Sequence, residues 1–559
     1  MSQLDTNTNS ESTLPTLIER PISLAVRASL LGLGLACGSA FGADIMVNSA
    51  LDDNGVGCTL REAISAANTS VDQGNGCSTG ADSGIDRIQF DPSVFSTNNN
   101  ITLTAGELSV IGKDLHISAE SIANGITLIG RGEEARVMRV SGGSLSLTNV
   151  TLTGGTFQPV PSGTSGSRVR GGGLLIEDDT VVQLTNSHVV NNTATRSGGG
   201  IHINNDSQLS LINSTVSNNR VEERGTVTGG GISVGQRNTL ELVDSEISEN
   251  TVFSRGGSGS IAAGLIASDN NTITLNNSSI SNNFGGALDA GAQTDLSLID
   301  SRIDSNVLGG DGGIDGVAGI ELGVNSELML LRSSVANNVS SFNPGGLKLR
   351  NSSASIVDST ISGNKSSGSV GASFEFDASI VDVENSTISS NSLTGNRGYG
   401  AAGSIIGLST VHFRNVTISD NTLDNSDSAY IPGLLIGNSS VTFQNTIVAN
   451  SININHPDNG GDCFAIPESE FVPASVITID STTIIESGGC GAQRTGDPGL
   501  LPLTDNGGST QTHALATGSI AIGTGENTTC LSTDQRGFAR DSACDVGHLS
   551  LARYHQLSA

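Results

Sequence analysis

Eleven copies of a seven-residue pattern follow one another through the middle of the chain, 23 to 37 residues apart. Clear copies are Asn-Ser-Thr-Val-Ser-Asn-Asn at 213–219 and Asp-Ser-Thr-Ile-Ser-Gly-Asn at 358–364. The fourth position is aliphatic in every copy. Because a unit this short cannot bury a core alone, the pattern predicts a solenoid in which successive units stack. The copies begin at Asn149, Asn186, Asn213, Asp244, Asn277, Asp300, Arg332, Asp358, Asn385, Asn415 and Asn445.

Each repeat contains two further segments in which apolar residues alternate with others. Two glycines or small residues precede the first segment, as at 345–349, and residues 240–243 are an example of the second. Three short alternating strands per repeat predict one coil of a parallel β-helix. No segment carries the long 3.6-residue apolar stripe of a helical solenoid. The predicted fold class is all-β: a single-stranded, right-handed parallel β-helix with three short strands per coil and about eleven coils.

The seventh position of the pattern is asparagine in nine successive copies. Asparagine tolerates left-handed turn conformations. Amides stacked at the same corner of successive coils can also hydrogen-bond to one another as a ladder. A structural role is therefore predicted for these asparagines. The predicted ladder consists of Asn192, Asn219, Asn250, Asn283, Asn306, Asn338, Asn364, Asn391 and Asn421.

The N-terminus has the layout of an export signal. Arg27 precedes an apolar stretch at 28–36, and Ala-Phe-Gly at 40–42 suits signal peptidase. Residues 1–42 are therefore predicted to be the signal peptide of a secreted or cell-surface protein. Two alternatives stay open, a membrane anchor and lipidation at Cys37. No other segment is apolar enough to span a bilayer.

Removing this signal leaves six of the seven cysteines. An even number of cysteines in an exported protein indicates disulfides. They fall into three local groups outside the repeat, so local pairing is the simplest arrangement, although the sequence leaves the connectivity open. A thiolate metal site is the alternative, which the lack of a C-x-x-C pair disfavours. The six cysteines are Cys58, Cys77, Cys463, Cys490, Cys530 and Cys544.

Acidic residues outnumber basic ones by 55 to 26, giving a formal net charge of −29. Phosphate contacts need a basic surface, so no nucleic-acid partner is expected. The acidic charge makes calcium a possible ligand, but no motif requires a cofactor.

Motifs at both ends of the chain resemble known families. The N-terminal ones are Cys-Thr-Leu-Arg-Glu-Ala-Ile at 58–64, Asp-Arg-Ile-Gln-Phe at 86–90 and Ile-Thr-Leu-Thr at 101–104, and they resemble the CSLREA domain. The C-terminal motifs are similar to the choice-of-anchor Q module. The resemblance implies an exported bacterial β-helix protein, often surface-associated and mostly without a defined activity. The C-terminal motifs lie at 497–500, 505–508, 512–515 and 534–537.

These observations divide the chain into four predicted units. After the signal peptide come a CSLREA-like cap at 43–100, β-helix coils at 101–450 and a choice-of-anchor Q-like module at 451–559. A solenoid must cover its open ends. In the cap, residues 59–68 are predicted to form an amphipathic helix that closes the first coil.

One charge cluster offers a possible catalytic site. Aligning the glycine-preceded strands places Glu321, Lys348 and Glu375 on consecutive coils, facing outward, with Arg350 and Asp377 beside them. A uronate lyase needs a base beside the sugar and a positive charge to neutralise its carboxylate. The alternative is a charge ladder that supports coil stacking. No metalloprotease, serine-hydrolase or nucleotide-binding motif occurs in the sequence.

The function expected from these features is binding or adhesion by an exported surface or extracellular protein. Its ligand would be a polysaccharide or another cell-surface component. The alternative is a polysaccharide-active enzyme, a uronate lyase similar to pectate or alginate lyases, acting through Lys348 and its neighbours. A structural shaft that displays the C-terminal module is a third possibility. The fold alone does not separate binding from catalysis.

Overall fold

The structure of the protein is a computed structural model. It describes residues 41–52, 57–72, 76–97, 99–132, 135–156, 170–223, 229–254, 262–309, 316–368, 371–395, 398–425, 431–457, 461–469 and 472–550. All but the last two residues of the predicted signal peptide lie outside the described residues, as does Cys37.

The chain forms a right-handed parallel β-helix, which confirms the predicted fold class. Four parallel sheets run along the described part of the coils. Sheet 1 has 26 strands and contributes two of them to most coils, whereas sheet 2 has 14 strands and contributes one per coil. Sheets 3 and 4 are short, with three and six described strands, and line the corner that follows sheet 2.

The strand bounds follow the coils in order. Four strands of sheet 1 form its N-terminal end: Phe41–Val47, Ile85–Phe90, Leu108–Ser118 and Met138–Thr148. Its later first-position strands are Leu174–Ile176, Ile201–Ile203, Ile232–Val234, Leu265–Ala267, Leu288–Ala290, Ile320–Leu322, Leu347–Arg350, Phe374–Asp377, Gly403–Ile406, Leu434–Ile436 and Cys463–Ala465. Its second-position strands are Thr180–Thr185, Gln208–Ile212, Thr239–Val243, Thr272–Asn276, Asp295–Ile299, Glu327–Leu331, Ser353–Val357, Ile380–Glu384, Thr410–Arg414, Ser440–Gln444 and Val476–Ile479.

Sheet 2 forms the next side of each coil. Its strands are Asn100–Thr102, Ile126–Ile129, Val150–Thr153, His188–Val190, Thr215–Ser217, Glu246–Ser248, Ser279–Ser281, Arg302–Asp304, Ser334–Ala336, Thr360–Ser362, Thr387–Ser389, Thr417–Ser419, Ile447–Ala449 and Ile484–Ile485. Sheet 3 consists of Thr193–Ala194, Arg220–Glu223 and Thr251–Ser254. Sheet 4 consists of Val307–Leu308, Val339–Ser340, Lys365–Ser366, Ser392–Leu393, Thr422–Leu423 and Ile452–Asn453.

The aliphatic fourth position of the repeat forms one unbroken column inside sheet 2. Each member pairs in register with its equivalent in the next coil, as Val189 does with Val216, and none is more than 1% exposed. The column belongs to a single apolar core that extends from Ile45 to Ile485. The column is Leu152, Val189, Val216, Ile247, Ile280, Ile303, Val335, Ile361, Ile388, Ile418 and Val448.

The nine repeat asparagines stack at the corner after sheet 2. In each of the eight steps, the side-chain Nδ2 donates to Oδ1 of the next asparagine at 2.9–3.1 Å. The backbone N–H of the same residue donates to that same Oδ1. All nine are at most 1% exposed. The left-handed conformation belongs instead to the first and sixth positions of the repeat, and at the first position φ is 44° to 60° in all eleven copies.

The predicted N-terminal helix is present as α1, Leu60–Thr69, and a short helix α2, Pro92–Phe95, follows. Thr59 and Glu62 form a capping box at the start of α1, which satisfies two N–H groups that the helix leaves free. Arg61 makes two hydrogen bonds to Asp52, and also donates to the carbonyl oxygens of Gly106 and Glu107. These bonds tie the helix to the coil beneath it, so the open end of the core is covered.

Three disulfides stabilise the ends of the solenoid, and their pairing is local. They join Cys58 to Cys77, Cys463 to Cys490 and Cys530 to Cys544. The chain-entropy estimate for loops of this size is roughly 3 kcal/mol each. None of the described helices combines the length and apolar character needed to cross a membrane.

Candidate binding face

The predicted charge cluster forms in register, but its central lysine and one of its glutamates are not open to solvent. Lys348 pairs with Glu321 on one side and Glu375 on the other, as the alignment predicts. Lys348 is only 3% exposed and Glu375 only 7%. The Lys348 Nζ donates to Asn343 Oδ1 at 2.7 Å and lies 3.8 Å from Glu375 Oε1. The expectation that these side chains face solvent is therefore wrong for Lys348 and Glu375.

Part of this cover over Lys348 comes from the segment that leads into its strand, where Asn343 accepts the lysine hydrogen bond. At Gly371 the backbone has φ +54°, and an added Cβ would lie 2.3 Å from the carbonyl oxygen of Phe374. His202 occupies the equivalent position in an earlier coil and is 6% exposed. Burial, reinforced by the charge of Arg170, lowers the pKa of His202 to about 3. Several outward positions on this side of sheet 1 are thus buried, whereas Glu321 and Asp289 in the same column are half-buried.

Arg350 and Asp377 pair in register two residues further along the same strands. Arg350 is exposed and Asp377 is half-buried. No ion pair within 4 Å joins them in the ranges that the structure describes. A uronate could contact Arg350, but Lys348, the lysine that a lyase mechanism would need, is buried. The five residues therefore do not assemble an accessible acid–base site.

The outer side of sheet 2 differs along its length. We call the outward residues from Thr151 to Ser334 the open face. In this column His188 and Arg302 are exposed, and the other members are half-buried. Register pairing aligns the members coil by coil, so they form a straight row about 29 Å long at the usual strand spacing. The row is Thr151, His188, Thr215, Glu246, Ser279, Arg302 and Ser334.

The next three coils continue the same row beneath residues 500–550, which we call the C-terminal segment. We call this part of the row the covered face. Its members Thr360, Thr387 and Thr417 are 2%, 0% and 1% exposed. Gln535 bridges two of them, because its Nε2 donates to Thr360 Oγ1 at 2.9 Å and its Oε1 accepts from Thr387 Oγ1 at 2.7 Å. The backbone N–H of His548 donates to Thr417 Oγ1 at 3.4 Å.

A second outward column makes equivalent contacts on the covered face. His513 Nε2 lies 2.8 Å from Ser389 Oγ, and its Nδ1 lies 2.7 Å from the carbonyl oxygen of Leu501. Ser389 and His513 are both fully buried at this interface. Burial lowers the pKa of His513, and Asp420, 3.8 Å from its Nε2, acts in the opposite direction. The C-terminal segment is thus held to these coils of sheet 2 by polar contacts, and to the coils that follow by an apolar cluster in which Leu515, Ala521 and Val546 pack against Ile447 and Ile484.

The open face also presents hydroxyl groups, and no hydrogen bond from the described part of the C-terminal segment reaches its row. The hydroxyls of Thr151, Ser279 and Ser334 make no hydrogen bond within the described part of the molecule. Among the described residues, one side-chain hydrogen bond joins neighbours along the row, between His188 Nδ1 and Thr215 Oγ1 at 2.8 Å. The face therefore offers hydroxyl donors and acceptors at a regular spacing.

A concave groove of about 580 Å³ lies where the open face meets the C-terminal segment. At its edge Arg332 forms a two-point ion pair with Asp300, with N–O distances of 2.8 and 2.7 Å. The Arg332 guanidinium lowers the pKa of the Asp300 carboxyl. Ser509 reaches over from the C-terminal segment, with Oγ 3.4 Å from Asp300 Oδ1. The groove is lined by Asn277, Ser278, Ser279, Asp300, Ser301, Arg302, Arg332, Ser334 and Ser509.

No site for a metal is evident in this arrangement. Across the described ranges, no three His, Cys, Asp or Glu side chains converge as a metal-binding cluster would require. Calcium binding stays a prediction from the acidic composition.

The cover that the C-terminal segment forms over part of sheet 2 was not predicted from the sequence, although the sequence contains a signal for it. Three covered strands have the identical sequence Thr-Ile-Ser, at 360–362, 387–389 and 417–419. The seven strands of sheet 2 from Val150–Thr153 to Ser334–Ala336 vary at their outward positions. Uniform outward residues in a repeat indicate a surface that must match something fixed.

Comparison with known proteins supports the fold and goes no further. Residues 120–339 match the family model described as right handed beta helix region. No curated protein and no solved structure was found to match the chain. The match ends in the seventh copy of the repeat, and the structure continues the same coils to Ile485. Surface proteins and polysaccharide-active enzymes are both compatible with this fold.

Proposed function

We propose that this protein is an exported extracellular binding protein that holds a glycan chain along the open face. The observation that carries the proposal is the contrast within one row of side chains. On the covered face, the hydroxyls of Thr360 and Thr387 bond to a polar segment laid along the sheet. On the open face, equivalent hydroxyls such as Ser279 have no partner in the described chain.

A glycan suits this face because of its chemistry and its shape. Sugar hydroxyls donate and accept hydrogen bonds, as serine and threonine hydroxyls do. The row is straight and spans seven coils, so an extended chain can contact several of them at once. Many weak contacts along a repeated surface add up to useful affinity. Binding, rather than cleavage, is favoured because Lys348 is buried.

Export is part of the same proposal. The three disulfides support an oxidising compartment, since such bonds persist outside the cytosol. The predicted signal peptide at 1–42 provides the route. We also propose that residues 43–100 are a CSLREA-type cap and that residues 451–559 form a choice-of-anchor Q-type module. The capped helix α1 supports the first assignment, because the resembling motif coincides with it.

Glycan-array binding by the purified protein tests the proposal. Ser279→Tyr places a bulky ring in the middle of the open face and should weaken binding about tenfold or more, because it lifts the chain from the row. Ser297→Tyr is the matched control, since Ser297 is also half-buried and lies on an outward position of sheet 1. Equal binding by both variants would place the ligand elsewhere, and no binding to any glycan would reject the proposal.

A further inference from the structure

We propose that the groove at the end of the open face is a subsite for one sugar that carries a single anionic substituent, bound by the Arg302 guanidinium. This inference rests on the proposed function and adds the class of ligand. The groove differs from the rest of the open face because Ser509 closes it on one side. Its volume of about 580 Å³ is within the usual range for small-ligand pockets.

The position of Arg302 in sheet 2 directs it into the groove. It pairs in register with Ser279 in the preceding coil and with Ser334 in the following coil. All three residues line the groove. An anion held by Arg302 would therefore lie between two hydroxyl groups. This combination of a charged donor and flanking hydroxyls is what recognition of an acidic sugar requires.

None of the acidic side chains near Arg302 forms an ion pair with it in the described chain. Arg332 and Asp300 neutralise each other through their two-point ion pair. Asp304 lies on the same strand as Arg302, but its Oδ1 accepts from Asn337 Nδ2 at 3.0 Å and its Oδ2 from Ser305 Oγ at 2.9 Å. Arg302 has no ion pair within 4 Å among the described residues. An unpaired cation in a groove is notable in a chain of net charge −29.

The same net charge argues against a densely charged polymer. A polyanion would be repelled along the whole length of an acidic protein, whereas one isolated charge is screened beyond about 8 Å at physiological salt. A guanidinium offers parallel N–H donors that match a carboxylate, and it also binds sulfate. The preferred ligand is thus a largely neutral glycan with isolated uronate or sulfate groups.

An array of glycans printed in pairs tests this inference. The members of each pair differ by one carboxylate, and a second set of pairs differs by one sulfate ester. The wild-type protein should bind the acidic member more tightly. Arg302→Gln should weaken that binding about tenfold, to the level of the neutral member. Arg350→Gln is the matched control, because Arg350 is also exposed and unpaired in the described chain but lies on sheet 1.

The outcomes separate this inference from the function on which it depends. Binding of neutral and acidic members with equal affinity, unchanged in Arg302→Gln, would overturn the subsite and leave glycan binding intact. Strongest binding to dense polyuronates, or an equal loss in Arg350→Gln, would also overturn it. No binding to any printed glycan would reject the proposed function itself. The two sets of pairs show whether the bound group is a carboxylate or a sulfate.

Discussion

The open and covered faces belong to one continuous sheet, yet their surroundings differ. Both continue the same aliphatic column inside, from Leu152 to Val448. Outside, the residues from Thr151 to Ser334 contact solvent, whereas Thr360, Thr387 and Thr417 are buried beneath the C-terminal segment. The inner side of a β-helix strand therefore reports the fold. The outward residues of the strand reflect what packs against that coil from outside.

The difference in sequence between the two faces follows from this. A segment of fixed sequence selects fixed partners, which accounts for three identical Thr-Ile-Ser strands beneath it. The open face has no partner from the described part of the C-terminal segment, and its outward residues include Thr215, Glu246 and Arg302. Where a ligand is external, variation along the row allows selectivity between positions on that ligand.

The largest effect is expected from placing the same large residue on both faces. Thr387→Arg introduces a charge at a position that is fully buried against Gln535. It should cost about 4 kcal/mol or more, or release the C-terminal segment, because the charge has no room and no partner. Thr215→Arg, at the equivalent open position, should change stability by less than about 0.5 kcal/mol.

Urea denaturation and limited proteolysis of residues 500–550 measure this contrast. Release of the segment would appear as early cleavage in Thr387→Arg at urea concentrations where Thr215→Arg is intact. Similar stability of the two variants would contradict the distinction between the faces.

Sequence predicted the inner side of the solenoid well because its constraint is periodic. A position that recurs about every thirty residues, such as Val216 or Ile361, must meet its own equivalent in the next coil. The contacts of the covered face have no such period. Gln535 and Thr360 are 175 residues apart, and no repeat relates them. The burial of Lys348 was missed for a similar reason, because alternation indicates the direction of a side chain but not what folds over it.

Acidification should affect the covered face more than the open face. Burial lowers the pKa of His513 and lowers that of His548 well below its usual value. Between these lowered values and the ordinary value of about 6.5, the released segment binds more protons than the docked one. The two histidines therefore favour docking most above about pH 6.5 and less as the pH falls below it. Burial raises the pKa of Asp358, beneath the same segment, to about 6, and this carboxyl acts in the opposite direction below that pH.

Protease cleavage within 500–550 at pH 7.5 and pH 5.0 checks this dependence. Cleavage should be faster at pH 5.0, and His513→Gln should reduce the difference, since the buried titrating group is removed. His188→Gln on the open face is the control and should leave the pH profile unchanged. Equal protection of the segment at the two pH values would show that the buried histidines do not control docking.

The smallest effect on stability is expected at the boundary between the faces, where Asp300 holds Arg332. The two side chains of this pair are 36% and 40% exposed, so it should contribute no more than about 0.5 kcal/mol. Asp300→Asn also suits the backbone, because φ is 49° there and asparagine tolerates this conformation. The substitution frees Arg332, so the groove would contain two unpaired arginines in place of one. Binding of singly charged acidic glycans should therefore tighten by about threefold.

Titration of matched acidic and neutral oligosaccharides by calorimetry, with thermal melting alongside, tests this expectation. The affinity for the acidic member should rise in Asp300→Asn while the melting temperature stays nearly constant. Asp206→Asn is the control, because Asp206 forms a similar exposed pair with Arg237 on the edge of an earlier coil. If both variants gain affinity equally, the gain comes from the lower overall negative charge. A gain limited to Asp300→Asn would place the charge-selective part of the open face beside the end of the C-terminal segment.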